Sequence, residues 1–245
     1  MSTINKNLST TMNNSISRLS NLEEKAVMSL LTPESYFIKK IATLANKVKN
    51  IKWNKRLKNA GITNADEIFT YTNTRELRAL YNIALTCPQG TIALEIGSHF
   101  GASSCYIAAG LAQINGHLFC VDTWHNETMP EGEQDTFAEF QKNTNGLKQK
   151  ITPVRKRSDE INDSDIKTPI NFAFIDGDHS YISVKRDFEL VKKWLAEDGI
   201  IAFHDFSSLY FEGVTRVIGE ALASGKWITV GQVDTLVWIQ RAKWL

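Results

Sequence analysis

The sequence predicts an α/β fold: a Rossmann-like doubly wound parallel sheet with a C-terminal antiparallel strand, preceded by N-terminal helices. Three observations predict it. Short apolar, β-rich runs recur at residues 91–96, 117–122, 151–155, 170–176 and 199–204. Helical patterns at 103–114, 134–147, 183–195 and 211–223 alternate with them, as parallel βαβ units with right-handed crossovers require. The last two runs, 226–230 and 235–240, are joined only by residues 231–234, too few for a helical crossover. They must pair as an antiparallel hairpin.

The elements follow in order. Residues 1–15 are polar, rich in Ser, Thr and Asn, and read as a disordered tail. From 16 to about 57, apolar residues at spacings of three and four, among them Leu19, Leu22, Ile38, Ile41, Leu44 and Val48, predict amphipathic helices. Eight basic residues between Lys39 and Lys58 fit either a solvated helix face or a surface for an anionic substrate or partner. We therefore assign 16–73 to a helical N-terminal extension, a candidate element for homo-oligomer assembly. Residues 74–245 form the catalytic domain, opening with a helix at Thr74-Arg75-Glu76 that ends near Cys87-Pro88.

Composition narrows the function. A net charge of +1 offers no field that would draw the whole chain onto nucleic acid or a membrane. No apolar run reaches the length of a membrane span, and the first residues lack a signal-peptide pattern. Cys87, Cys105 and Cys120 are dispersed, without the spacing of a zinc site or disulfide framework. The expectation is a cytoplasmic protein in a reducing compartment, with neither nucleic acid nor a membrane as partner.

The first strand runs into Glu95-Ile96-Gly97-Ser98-His99-Phe100-Gly101-Ala102-Ser103. Ligands of such sheets bind beyond the strands' carboxyl ends. Gly97 and Gly101 permit a sharp turn and close approach. Ser98 belongs to the same loop, and Ser103 opens a helix whose free N–H groups favour an anion. A nicotinamide dinucleotide is disfavoured, because His99 stands where its loop needs a second glycine. Glu95 would repel phosphates but attract the cationic amino group of a methionine moiety. Charge therefore favours S-adenosylmethionine. Asp122, ending the second strand, suits the ribose hydroxyls of either cofactor. Trp124 suits the adenine, a roof over the substrate, or the core. Ser158, after the third strand, suits the adenine edge or a helix cap.

The fourth strand delivers Asp176-Gly177-Asp178-His179 and the fifth His204-Asp205. Both ends face one crevice. Carboxylates with imidazole nitrogens can hold Mg2+ or Mn2+. His179, with an ordinary pKa of about 6.5, suits a general base near neutral pH.

Glu-Ile-Gly-Ser-x-x-Gly-x-Ser, Val-Asp-Thr-Trp, Phe-Ile-Asp-Gly-Asp-His-Ser-Tyr and Gly-Ile-Ile-Ala-Phe-His-Asp-Phe together resemble a class I methyltransferase. They most resemble a bacterial family related to catechol O-methyltransferase, macrocin O-methyltransferase and cephalosporin-hydroxylase-type proteins. The resemblance covers about 74–245. It implies that Glu95, Gly97 and Ser103 hold the methionine end of the cofactor, Asp122 the ribose and Ser158 the adenine. It implies metal ligands at Asp176 and at the pair His204-Asp205, where the catechol enzymes have Asp-Asn. It puts His179 where those enzymes carry a lysine base. The reaction the resemblance implies is methyl transfer from S-adenosylmethionine to a hydroxyl oxygen of a small-molecule or sugar acceptor, with Asp176, His179 and Asp205 catalytic. A nicotinamide oxidoreductase, a non-catalytic scaffold and a metal-dependent hydrolase are the rival readings. Residues 126–133 are expected over the pocket, where their acidic side chains would disfavour an anionic acceptor.

Overall fold

The computed structural model describes residues 33–63, 67–126 and 132–243. The tail expected at 1–15, the helical pattern of 16–32 and most of the expected pocket cover at 126–133 lie outside them. The chain divides into two compact units, Met1–Trp53 and Asn54–Leu245, and the division falls within the first described helix. That helix is α1 (Pro33–Asn59). Its side chains at Ile38, Ile41, Leu44, Val48 and Ile51 are exposed. No described helix is long and apolar enough to cross a membrane.

The second unit carries the sheet. Helix α2 (Thr74–Thr86) precedes β1 (Ile92–Ile96), followed by α3 (Ala102–Ala112) and β2 (His117–Asp122). Then come α4 (Phe137–Thr144), β3 (Ile151–Arg155), β4 (Ile170–Ile175), α5 (Tyr181–Trp194), β5 (Leu195–Phe203) and α6 (Glu212–Ala223). The hairpin β6 (Trp227–Val233) and β7 (Leu236–Arg241) ends the fold. The strand order is β3-β2-β1-β4-β5-β7-β6. The first five strands are parallel, and β7 lies antiparallel between β5 and β6. From β1 the chain winds outward to β3, then returns to β4 on the other side. The reversal leaves a crevice between the carboxyl ends of β1 and β4, where ligands of such sheets sit.

Burial explains the strand sequences. Leu94, Phe172, Phe174, Ile201 and Phe203 are fully or almost fully buried, as strands covered on both faces must be. Helices α5 and α6 cover one face: Val184, Phe188 and Val191 join Val214, Val217 and Ile218 in one apolar cluster with the sheet. Helix α3 is buried along nearly its whole length.

Three local expectations are corrected. The cap of α2 is Asn73, not Thr74: its carboxamide accepts from the amides of Arg75 and Glu76, and Glu76 accepts in return from the Asn73 amide. Strand β5 begins at Leu195, directly where α5 stops. The hairpin turn is shorter than residues 231–234, because β6 runs through Val233. Gly231 lies inside β6, at a register irregularity, because the Trp238 ring stands over it; a Cβ there would meet the ring at 2.2 Å.

Candidate active site

A cleft of about 960 Å³ opens at the crevice. One wall is the β1 loop and the ends of β2 and β3, contributing Gly97, Ser98, Ser103, Asp122 and Ser158. The other is the ends of β4 and β5, contributing Asp176, His179, His204 and Asp205. The parallel register makes this convergence: Ile96 pairs with Ile175, and Ile175 with Phe203, so the residues that follow emerge side by side.

The loop wall is held from beneath. Asp122 Oδ2 accepts from the amides of Ser98 (2.8 Å) and His99 (2.9 Å), and Oδ1 accepts from the Trp124 amide (2.6 Å). A carboxylate has about four acceptor positions, so Asp122 both shapes the loop and keeps acceptor capacity in the cleft. Gly97 adopts φ +86°. A Cβ there would lie 2.1 Å from the Asp176 carbonyl oxygen. Its glycine is thus required by the approach of β1 to β4, in addition to any approach by a ligand. Gly101, at φ +87°, faces Thr144 and Phe140 rather than the cleft.

Glu95 departs from its expected role. Its side chain is fully buried and is not part of the cleft wall. Oε2 accepts from the hydroxyls of Ser98 and Ser104, while Oε1 has no partner among the described residues. Burial drives its pKa upward. Ser98 and Ser103 therefore stand where a methionine amino group was expected to meet Glu95 directly. Trp124 is a core residue: it is fully buried against Phe137 and Phe140, and its ring N–H donates to the His99 carbonyl at 2.9 Å.

The opposite wall is a charge network. His179 Nε2 lies 3.1 Å from Asp205 Oδ2 and 3.5 Å from Asp176 Oδ1. His204 Nδ1 lies 3.2 Å from Asp205 Oδ2 and 3.4 Å from Asp176 Oδ1. The Nε2 of His179 is not aligned for hydrogen bonding, so its contacts are electrostatic. His204 Nε2 makes a 3.1 Å hydrogen bond to Glu76 Oε2. Glu76, from the first turn of α2, also accepts at Oε1 from the Thr235 amide and hydroxyl. Phe211 stacks on the His179 ring at 4.2 Å.

These contacts set the protonation states. Burial opposes charge on both imidazoles, but the carboxylates prevail. His179 is raised to about 9 by Asp176 and Asp205, and His204 to about 12 by Asp176, Asp205 and Glu76. Burial likewise disfavours the carboxylates, yet the two imidazoles hold Asp176 and Asp205 below their ordinary range. The expectation of His179 as a base of ordinary pKa is thereby corrected: two adjacent carboxylates keep it protonated at neutral pH. Asp176, His179 and Asp205 offer ligand atoms within 4.8 Å of one another. That set contains His179; the expected His204 turns its Nδ1 to both aspartates and its Nε2 to Glu76.

Two residues went unread in the sequence. Glu76 carried only the signal of a capping residue. Asp187 did carry one: it shares the buried stripe of α5 with Val184, Phe188 and Val191, where a carboxylate is out of place.

Residues 94–206 match the family model described as a methyltransferase domain. Solved structures of similar fold include the O-methyltransferase from Bacillus cereus in complex with SAH, 15% identical, spanning 76% of this chain and 91% of that one with TM-score 0.54. The SAH-bound Podospora anserina methyltransferase PaMTH1 is 11% identical, spanning 82% and 96% with TM-score 0.57. The O-methyltransferase TomG from Streptomyces achromogenes, involved in Tomaymycin synthesis and in complex with SAM, is 16% identical, spanning 77% and 90% with TM-score 0.53. At these identities the likeness is one of fold. The resemblance to class I methyltransferases read from the four motifs holds, and the sheet is that of the methyltransferase fold.

Proposed function

We propose that the chain transfers a methyl group from S-adenosylmethionine to a hydroxyl oxygen of a small-molecule or sugar acceptor. The observation that carries this reading is one cleft, lined mostly by residues of the matched methyltransferase domain, with a serine- and glycine-lined loop on one wall and two carboxylates with two imidazoles on the other. The structural neighbours solved with SAH or SAM support the cofactor. Ser98 and Ser103 offer hydroxyls to the methionine end, Asp122 an acceptor to the ribose, and Ser158 a hydroxyl to the adenine.

The sulfonium already activates the methyl group, so the protein must align donor and acceptor and remove the acceptor's proton. His179 is the group to receive that proton. Its raised pKa makes the neutral imidazole scarce until the charge of Asp176 and Asp205 is offset. Two carboxylates and an imidazole within 4.8 Å suit a hard divalent cation such as Mg2+ or Mn2+. Asp176 and Asp205 would hold it, with the Nδ1 of His204 as the nitrogen donor, which leaves His179 for the proton. When bound, such an ion lowers the pKa of the acceptor hydroxyl and orients it. His204, held by Glu76, keeps the two carboxylates in register.

The test is calorimetry with S-adenosylhomocysteine, then turnover on a panel of catechols and sugars with magnesium or with EDTA. Parent protein should bind the ligand, and His179→Ala should lower kcat by about 10²–10⁴. Failure of the parent to bind would overturn the cofactor reading. Full turnover in EDTA would remove the metal and leave His179 and His204 as the acid–base pair.

A further inference from the structure

The net charge of +1 argues against a membrane partner, but it hides a segregation. Helix α1 holds eight of the 28 Lys and Arg residues and only one, Glu34, of the 27 Asp and Glu residues. The remainder of the chain is therefore net acidic. Within the first unit the helix also carries an apolar stripe. Ile41, Leu44, Val48 and Ile51 follow at spacings of three, four and three, with Ile38 beside them, so they share one helix face. All five are exposed, from 47% at Val48 to 68% at Ile51. Single exposed apolar residues are ordinary, but a row of five on one face marks a surface that something covers. Lys40 and Lys47 run along one border of the stripe, and Lys52, four residues after Val48, continues it; all three are exposed.

Charge decides what covers the face. The three-four spacing is also that of a helix pairing with a second copy of itself. In that pairing Lys40, Lys47 and Lys52 take the positions beside the seam, while Glu34, seven residues before Ile41, falls on the seam itself. Lysine would then meet lysine with no carboxylate to balance it. A nucleic acid would engage the lysines and leave five apolar side chains in water. An anionic bilayer takes both sets. The stripe enters the boundary between headgroups and acyl chains, and the lysines bury their stems while their ammonium groups reach the anionic headgroups.

We propose that α1 is a docking helix that lies in the plane of an anionic lipid surface, Ile38, Ile41, Leu44, Val48 and Ile51 inward and the lysines at the headgroups. The helix is not long and apolar enough to cross a bilayer, which fits a segment that lies on one. This docking is independent of the chemistry of the cleft.

Vesicle flotation of the full chain tests it, with vesicles of phosphatidylcholine alone or mixed with phosphatidylserine. The protein should float with the mixed vesicles, not with phosphatidylcholine alone, and high salt should release it. Lys40→Gln combined with Lys47→Gln should weaken binding by about tenfold or more. Leu44→Asn combined with Val48→Asn should abolish it, although every charge stays in place. These positions are exposed, so both variants should melt with the parent, and the parent's preference between vesicles carries the test where a variant does not fold. Equal flotation of the parent with both vesicle types, or with neither, overturns the proposal. Retained binding in the folded Leu44→Asn, Val48→Asn variant overturns it too, since charge alone would then suffice. Two further outcomes replace it with another occupant. A parent that sediments as a dimer without lipid, beside a monomeric Leu44→Asn, Val48→Asn variant, assigns the face to a second copy. Flotation of a protein beginning at Pro33, where the full chain does not float, assigns it to residues 1–32.

Discussion

At the residue scale, His204 explains how two carboxylates survive at neighbouring strand ends. It stands between Asp176, Asp205 and Glu76, with a carboxylate oxygen facing each ring nitrogen. Glu76 is 2% exposed, and His204 draws its carboxyl below the ordinary range although burial pulls the other way. The network makes a testable pH statement. His179 gains its proton affinity from folding, from an ordinary 6.5 to about 9. Its stabilising contribution is complete below about pH 6.5 and is lost as pH rises through about 9. Metal-free protein should therefore lose melting temperature between pH 7 and 10, by roughly 2–4 °C for each kcal/mol surrendered in a chain of this size. His179→Asn should flatten that part of the curve. A melting temperature constant across the window in both proteins would mean that the imidazole is not held by the two aspartates. The aspartates and His179 were legible in the sequence, because they follow strands whose apolar runs are unmistakable. Glu76 was not, since its carboxylate meets His204 across 128 residues and no local pattern encodes that meeting.

At the element scale, the crevice depends on how closely β1 and β4 approach at their carboxyl ends. Gly97 is the contact point. The Asp176 amide donates to the Ile96 carbonyl at 2.8 Å, and the Asp176 carbonyl occupies the space a Cβ of residue 97 would need. Gly97→Ala should destabilise the protein by roughly 2–4 kcal/mol, combining left-handed backbone strain with a clash that only strand separation relieves. Gly90→Ala provides the comparison. Gly90 also has positive φ, at +74°, but a Cβ there meets nothing within 4 Å. Its loss should be confined to backbone strain, about 1 kcal/mol. Equal losses in chemical denaturation would show that conformation alone, not the β1–β4 contact, requires the glycine. The alternation of strands and helices was readable because each element carries its own hydrophobic period. The hairpin boundary was misjudged at Gly231, where a glycine that reads as a turn residue instead makes room for the Trp238 ring on the opposite strand. Cross-strand packing of that kind has no signature in the residues on either side.

At the scale of the whole molecule, the division at Trp53 separates a unit whose described part is the basic helical stretch 33–53 from the unit that holds every described strand and the cleft. Every residue lining the cleft lies between Phe69 and Gly213. The second unit also owns the core: Leu57, Ile62 and Ile68 are buried ahead of α2, and the sheet and its covering helices supply the remainder. The sequence placed the domain boundary near residue 74, where the strand–helix alternation begins. The compact unit that holds the sheet opens at Asn54, and the burial of Leu57, Ile62 and Ile68 within it belongs to no repeating unit and so left no periodic trace. A protein beginning at Asn54 should then keep its fold, with a melting temperature within a few degrees of the full chain. It should also bind S-adenosylhomocysteine with an unchanged Kd. Sedimentation of both proteins tests the assembly role proposed for the N-terminal helices, whose exposed Ile38, Ile41, Leu44, Val48 and Ile51 the truncation removes. Loss of self-association with retained binding would assign those side chains to assembly. Loss of binding in a folded, truncated protein would instead make residues 1–53 part of the cofactor site, and the cleft as drawn from the second unit would be incomplete.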